Sequence, residues 1–160
     1  MPLRRVLLAT DLTAVSQAAT EEAIRAAARD SAELLVLSVI EPARLRLPSG
    51  AFGMRVDQER SRRERAIARI VRKAQDSGLR ATFLIWEGDP AESIVAAADA
   101  ESADVIVLGS HGRGRLGRML LGSVSSQVAG TSPVPVLVVS ATGRPERHNG
   151  HAIPVSRGVG

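Results

Sequence analysis

The sequence predicts an α/β domain: a parallel sheet with helices on both faces. Three observations lead there. Short apolar runs of strand type alternate with stretches of helical periodicity along the whole chain. The strand runs are almost continuously apolar, as in strands buried on both faces, rather than alternating in and out. The 160 residues, 44% apolar and 24% charged, suit one compact domain with one core.

Arg5–Thr10 (RVLLAT) is the first strand. Ser16–Asp30 places Ala19, Ala23, Ile24, Ala27 and Ala28 at helical spacing, a small-residue face that can lie close on a sheet. Glu33–Ile40 (ELLVLSVI) is the second strand, and Glu41–Arg55, with its prolines and glycines, reads as a loop. Val56–Ser77 is a longer helix, polar at first and then apolar at Ile67, Ile70, Val71 and Ala74, with Gly78 as its stop. Ala81–Trp86 is the third strand. The third helix has the clearest start: Asp89 caps, Pro90 takes the first helical position and Glu92 completes a capping box. Asp104–Leu108 is the fourth strand. The glycine-rich stretch Gly109–Gly122 follows, then a short helix from Ser123, itself read as the cap, to about Ala129. Val134–Val139 is the fifth strand; Pro135 has no N–H to donate, which favours an edge. Residues 1–140 form the domain, and 141–160, without periodicity, read as a disordered tail.

Composition narrows the chemistry. There are no cysteines, which excludes disulfides, thiolate metal sites and cysteine nucleophiles. No apolar run approaches a membrane span, and Val6–Ala9 is too short for a signal-peptide core, so the expectation is a cytoplasmic protein without a membrane partner. The pI of 11.1 sits beside a net charge of only +4. Lys73 is the single lysine, and with arginine as the other base and no tyrosine or cysteine, little titrates between histidine and arginine. The pI therefore does not point to nucleic acid, and the aromatic content of 2% gives no stacking platform. Location says more. From Val105 to Pro145 there is no acidic residue, while Arg113, Arg115, Arg118 and Arg144 carry the entire net charge.

Parallel sheets bind ligands at the carboxyl ends of strands, where the strand order reverses. Two strand ends carry unusual residues: Asp11 after the first strand, and Gly109–Ser123 after the fourth. The second segment combines five glycines, three arginines and a serine at a helix start. Glycines let backbone N–H groups approach a phosphate, and a helix N-terminus adds donors and partial positive charge. The alternative is a surface loop whose glycines serve turns and whose arginines are solvated. Named phosphate motifs fail. A P-loop needs a lysine, and Lys73 is on the second helix. Gly112-x-Gly114-x-x-Gly117 matches a dinucleotide fingerprint, but no acid stands in Pro133–Val139 for the ribose. A receiver domain would want paired acids after the first strand and a lysine after the fifth. His111, a lone loop histidine, reads as solvated, and His148 with His151 as part of the tail rather than a metal site. Asp11 has its own structural alternative, a cap or turn.

Gly109, Gly112 and Gly122-Ser123 satisfy G-x2-G-x9-G-[ST] in full. With RRVLLATDLT, LLVLSVIEP, DVIVLGSHGRG and LLGSVSSQVAGTSPVPVLVV, the chain resembles the universal stress protein family, specifically its ATP-binding branch, from about Leu3 to Val139. The resemblance implies an open five-stranded sheet of order 3-2-1-4-5, Rossmann-like, with nucleotide between strands one and four. It implies ATP, with magnesium, as ligand. Asp11, beside Thr10, and the backbone at Val39 would meet the adenine. Gly109, beside Leu108, would lie near the ribose, and Gly112, Arg113, Gly122, Ser123, Val124 and Ser125 would surround the phosphates. It also implies a homodimer through Val134–Val139. The expected function is a nucleotide-dependent stress-response or signalling module, with an unidentified protein partner, acting mainly by binding. The alternative is a slow ATPase or a nucleotidyl or phosphoryl transferase, against which stands the absence of a lysine near the glycines and of any acid but Asp11 at the two strand ends.

Overall fold

The computed structural model describes residues 1–45, 52–110 and 122–150. Among the described residues six strands form one sheet: β1 Arg5–Ala9, β2 Glu33–Ile40, β3 Ala81–Glu87, β4 Val105–Gly109, β5 Val136–Val139 and β6 Pro145–His148. Four α-helices among the described residues connect β1 through β5: α1 Gln17–Asp30, α2 Phe52–Asp76, α3 Pro90–Ala100 and α4 Ser123–Thr131. A short 3-10 turn, Ala14–Ser16, leads into α1, and another, Pro42–Arg44, follows β2.

The sheet order is β3-β2-β1-β4-β5-β6, with β1 to β5 parallel and β6 antiparallel to β5. The alternation of side chains across each strand divides the apolar residues between two cores. Val6 and Leu8 of β1, Leu34 and Val36 of β2 and Val107 of β4 face α1 and α2, where Ala19, Ala23, Ala27, Ile67, Val71 and Ala74 meet them. Leu7, Leu35, Leu37, Ile106, Val136 and Val138 face the other way, onto Ala91, Ile94, Ala97 and Ala98 of α3 and Val128 of α4. Leu7, Leu34 and Leu37 are fully buried, so truncating any of them to alanine should cost roughly 2–5 kcal/mol. The alanine face of α1 explains the close seat of that helix: small side chains bring the backbone down onto β1 and β4.

Local signals act as expected at several ends. Asp89 Oδ2 accepts from Glu92 N–H at 3.0 Å, with Pro90 at the first position of α3. Gly78, at φ +85°, follows α2 in the left-handed region, which favours glycine. The helix itself begins at Phe52, four residues inside the stretch read as loop.

Three expectations need correction. The sheet has six strands rather than five. Residues 145–148, read as part of a disordered tail, form β6, with Val136 opposite His148 and Val139 opposite Pro145. The hairpin that delivers it is closed by Ser140 N–H to Arg144 O and Gly143 N–H to Ser140 O, both 2.9 Å, with Gly143 at φ +87°. Main-chain pairing makes this strand, so its polar sequence PERH gave no apolar pattern to find. Finally, β5 is not an edge. β4 holds one side and β6 the other, and Pro135 precedes the strand, where its carbonyl accepts from Ile106 N–H at 3.0 Å and no N–H is needed.

Candidate functional site

Strand order reverses at β1, with β2 on one side and β4 on the other, and a cavity of about 270 Å³ opens at the carboxyl ends of these strands. Its floor is set by backbone hydrogen bonds that continue the sheet past the last strand residues. Thr10 N–H donates to Leu37 O at 2.9 Å, and Ser110 N–H to Val139 O at 3.0 Å.

The turn after β1 is fixed by its own side chains. Thr10, buried, exchanges a 3.0 Å hydrogen bond with Ser16 Oγ and accepts from Leu12 N–H at 3.0 Å. Asp11 Oδ1 accepts from both the N–H (3.0 Å) and the hydroxyl (2.7 Å) of Thr13. Leu12 is held at φ +65°, unusual for a residue with a branched side chain, and these bonds hold it there. Asp11 thus performs the turn-forming role that was its structural alternative, and it also lines the cavity.

Among the residues singled out from sequence, Thr10, Asp11, Val39, Leu108, Gly109, Val124 and Ser125 line this one cavity. They come from the turn after β1, from β2, from β4 and from α4, so the fold brings together what the sequence spreads over more than a hundred positions. Gly122 and Ser123 stand at the start of α4 but do not line it. The cap assignment shifts by one: Gly122, extended at φ −67° and ψ 170°, is the N-cap, and Ser123 is the first helical residue, exposed. Gly122 has no side chain with which to cap, and Ser125 Oγ donates to its carbonyl at 3.1 Å. Gly112, Arg113 and His111 lie outside the described residues. A Cβ built on Gly109 would stand 3.6 Å from Ser16 Cα and 3.9 Å from Ala19 Cβ, ordinary contact, so packing leaves room for a larger residue there.

The β2 side of the cavity carries groups that no motif indicated. Glu59 and Arg63 of α2 line it together with Glu41. Arg63 donates from Nε to Glu59 Oε1 and from Nη1 to Ser38 Oγ, both at 2.7 Å. Glu59 also accepts from Arg62, at 2.7 Å and 3.1 Å. The hydrogen bonds and charge of Arg62 and Arg63, that of Arg62 foremost, hold the Glu59 carboxyl down at about 2 against the opposing effect of burial. The same contact raises the Arg62 guanidinium. One signal pointed this way: Ser38 is the lone polar residue in the apolar run LLVLSVI, and a buried hydroxyl needs a partner. Which helix would supply that partner is tertiary information.

The universal stress protein family model matches residues 2–140. A universal stress protein of Thermus aquaticus, encoded in the 3′ region of a QAH/OAS sulfhydrylase, is 35% identical over 136 residues, covering 85% of this chain and 98% of that one. Among solved structures, MJ0577 of Methanocaldococcus jannaschii superposes with a TM-score of 0.76 at 27% identity, covering 87% of this chain and 96% of its own. The crystal structure of a universal stress protein in complex with cAMP superposes with a TM-score of 0.60 at 25% identity, covering 88% and 99%. The chain belongs to the universal stress protein family.

Proposed function

We propose that the protein binds ATP at the β1–β4 switch point and serves as a nucleotide-dependent stress-response or signalling module, by occupancy rather than turnover. The observation that carries this reading is the convergence of Thr10, Asp11, Val39, Leu108, Gly109, Val124 and Ser125 on one cavity where strand order reverses. The relative crystallised with cAMP supports an adenine nucleotide as the ligand class.

In this reading the base meets Asp11 and the backbone at Val39, the ribose lies by Gly109, and the phosphates meet the start of α4 with Gly112 and Arg113. The residues present suit a polyanion. The first turn of α4 begins on a glycine cap that offers no side-chain acceptor, so its N–H groups are available to phosphate oxygens, and the exposed Ser123 hydroxyl adds a donor. Magnesium arrives with the triphosphate and takes phosphate oxygens as its main ligands. Hydrolysis is slow in this scheme, below about one turnover per minute, because Asp11 is committed to the Thr13 turn. Denaturing the purified protein and chromatographing the released small molecules, with calorimetric titration of ATP, tests the proposal. Micromolar or tighter binding supports it; absence of nucleotide by both methods rejects it.

Homodimerisation through β5 now depends on β6. The expected antiparallel pairing through Val134–Val139 needs an edge that Pro145–His148 already holds, so we take the two pairings as competitors. A chain ending at Ser140 should show a larger dimer fraction by light scattering than the full chain.

A further inference from the structure

The two sides of α2 differ in kind. Ile67, Val71 and Ala74 form the buried side, against β2 and β3. The opposite side carries a row of cations. Arg55, Arg62, Arg65, Arg69 and Arg72 follow one another at intervals of seven, three, four and three residues, with Lys73 four beyond Arg69. That spacing puts all six on one face, and all six are exposed. At about 1.5 Å per residue, the row runs about 27 Å along the helix.

Neighbouring acids leave most of this charge unmatched. Arg62 shares Glu59 with Arg63 and is set aside, as is Arg60, which pairs with Glu87 off the row. Among the described residues no ion pair engages Arg55, Arg65, Arg69, Arg72 or Lys73. Asp76 is the one acid that falls in the row; Asp57 and Glu64, seven residues apart, lie together on a flank. α1, the other helix on this side of the sheet, is close to balanced, with Arg25 and Arg29 against Glu21, Glu22 and Asp30. α3, on the opposite side, exposes Glu92 and Asp99 and has no cation. The total charge points to no partner, but its placement does: one face concentrates cations and the other does not.

What the row lacks selects its occupant. From Arg55 to Asp76 no exposed residue is aromatic, and none is an aliphatic larger than Ala68. Lasting attachment to a membrane needs an apolar face beside the charge, a protein partner needs an anchor side chain, and a single strand needs rings to stack on. A nucleic-acid duplex needs none of these. It presents roughly sixteen phosphates over the length of the row, and charge alone holds it. Arginine suits that partner, because its planar fork matches two phosphate oxygens at once. A row one helix wide also fits the major groove of B-form DNA, about 12 Å across and lined by phosphates on both rims, whereas the groove of A-form RNA is too narrow.

We infer that the outer face of α2 docks on double-stranded DNA through its phosphates, without sequence preference. This surface lies outside the nucleotide cavity, and the inference stands apart from the ATP reading.

The test is fluorescence anisotropy of the full-length protein with labelled DNA duplexes of about 20 base pairs, from about 50 mM to about 200 mM salt. Two duplexes of unrelated sequence should bind alike, within about twofold, with micromolar affinity at the lowest salt. The logarithm of affinity should fall against that of salt with a slope of about −4. Replacing two cations together, Arg65→Gln with Arg69→Gln, should reduce the slope to about −2 and weaken binding at least about tenfold at low salt. Both positions are exposed and glutamine is as good a helix former, so the fold should survive. Arg144→Gln with Arg147→Gln removes the same charge at the far end of the sheet and should change affinity less than about twofold. Equal losses from the two double variants would mean that only net charge matters, and would overturn the inference. So would a wild type that binds neither duplex at low salt. Tighter binding of phosphatidylserine vesicles, of polyglutamate, of the single strand or of an RNA duplex, lost in the Arg65 and Arg69 variant, would give the row to that partner and overturn it as well.

Discussion

The two walls of the cavity are built from opposite materials. The β4–α4 wall is made of small and apolar residues, Leu108, Gly109, Ser110, Val124 and Ser125, and ends on a helix whose cap is a glycine. The β2–α2 wall is made of long charged side chains: Glu41, and Glu59 with Arg63, the last two bonded to each other and Arg63 to a buried serine. A wall of backbone and small side chains can grip a group by its charge and shape but offers few ways to tell one base from another. A wall of fixed side-chain donors and acceptors can discriminate, because a mismatched ligand leaves a partly buried polar group without a partner. Under the proposed function, this contrast puts affinity in the first wall and selectivity in the second.

Breaking the first wall should have the largest effect. Gly122→Val puts a branched Cβ at the N-cap of α4, where phosphate approaches in the proposed site. ATP affinity should fall more than about a hundredfold, while adenosine, which carries no phosphate, should bind nearly as before. Valine is also a poorer N-cap than glycine, by about 1 kcal/mol, a loss that one short helix can bear, so circular dichroism should show the fold intact. Comparable losses for ATP and adenosine would erase the proposed division between the walls. Ser123→Ala is the milder form of the same test. Losing one hydroxyl bond to an ionised group, about 1.5–3 kcal/mol, should weaken ATP roughly ten- to a hundredfold and adenosine not at all.

The same contrast explains what the sequence disclosed. The small-residue wall was legible in part, because glycine spacing is a one-dimensional property: Gly109, which lines the cavity, and Gly122, the cap of α4, are read directly from the chain, whereas Gly112 lies outside the described residues. The core strands were legible for a similar reason, since burial on both faces demands continuous apolar runs. The charged wall was not. Glu59 and Arg63 are four residues apart on a helix rich in arginine and glutamate, and the pair looks like any solvated i, i+4 ion pair until the fold lays it beside Ser38, 25 residues earlier than Arg63. β6 escaped for a third reason: its stability comes from main-chain pairing to β5, which leaves no pattern in side-chain hydropathy. Gly150 records that pairing, because a Cβ there would come within 2.6 Å of Pro133 O.

Within the first wall, Gly109 tests where the ribose rests. Its neighbours accept a methyl group in ordinary contact at 3.6 Å and 3.9 Å, so Gly109→Ala should leave thermal stability nearly unchanged. If the ribose lies against this position, ATP and adenosine should weaken together by about the same severalfold factor. Unchanged affinity for both would move the ribose off β4.

The smallest effect concerns the charged wall as a source of stability, and pH exposes it. Glu59 titrates near 2 in the folded protein against an ordinary value of 4.5, held down chiefly by the Arg62 hydrogen bonds. A carboxylate depressed on folding contributes stability that is fully present above the unfolded value and is lost as pH falls through the folded one. The contribution should therefore be constant above about pH 5 and fade between about pH 4.5 and pH 2. Glu59→Gln removes the titration and keeps an acceptor for the Arg63 Nε–H. The difference in melting temperature between wild type and variant should be at most about 4 °C at neutral pH, since partly exposed ion pairs are screened by solvent, and should shrink toward zero by pH 2. Added salt should narrow it at neutral pH as well. A difference that stays constant from pH 6 to pH 2 would mean that the Glu59 charge does nothing for the wall, and that Ser38 alone holds Arg63 in place.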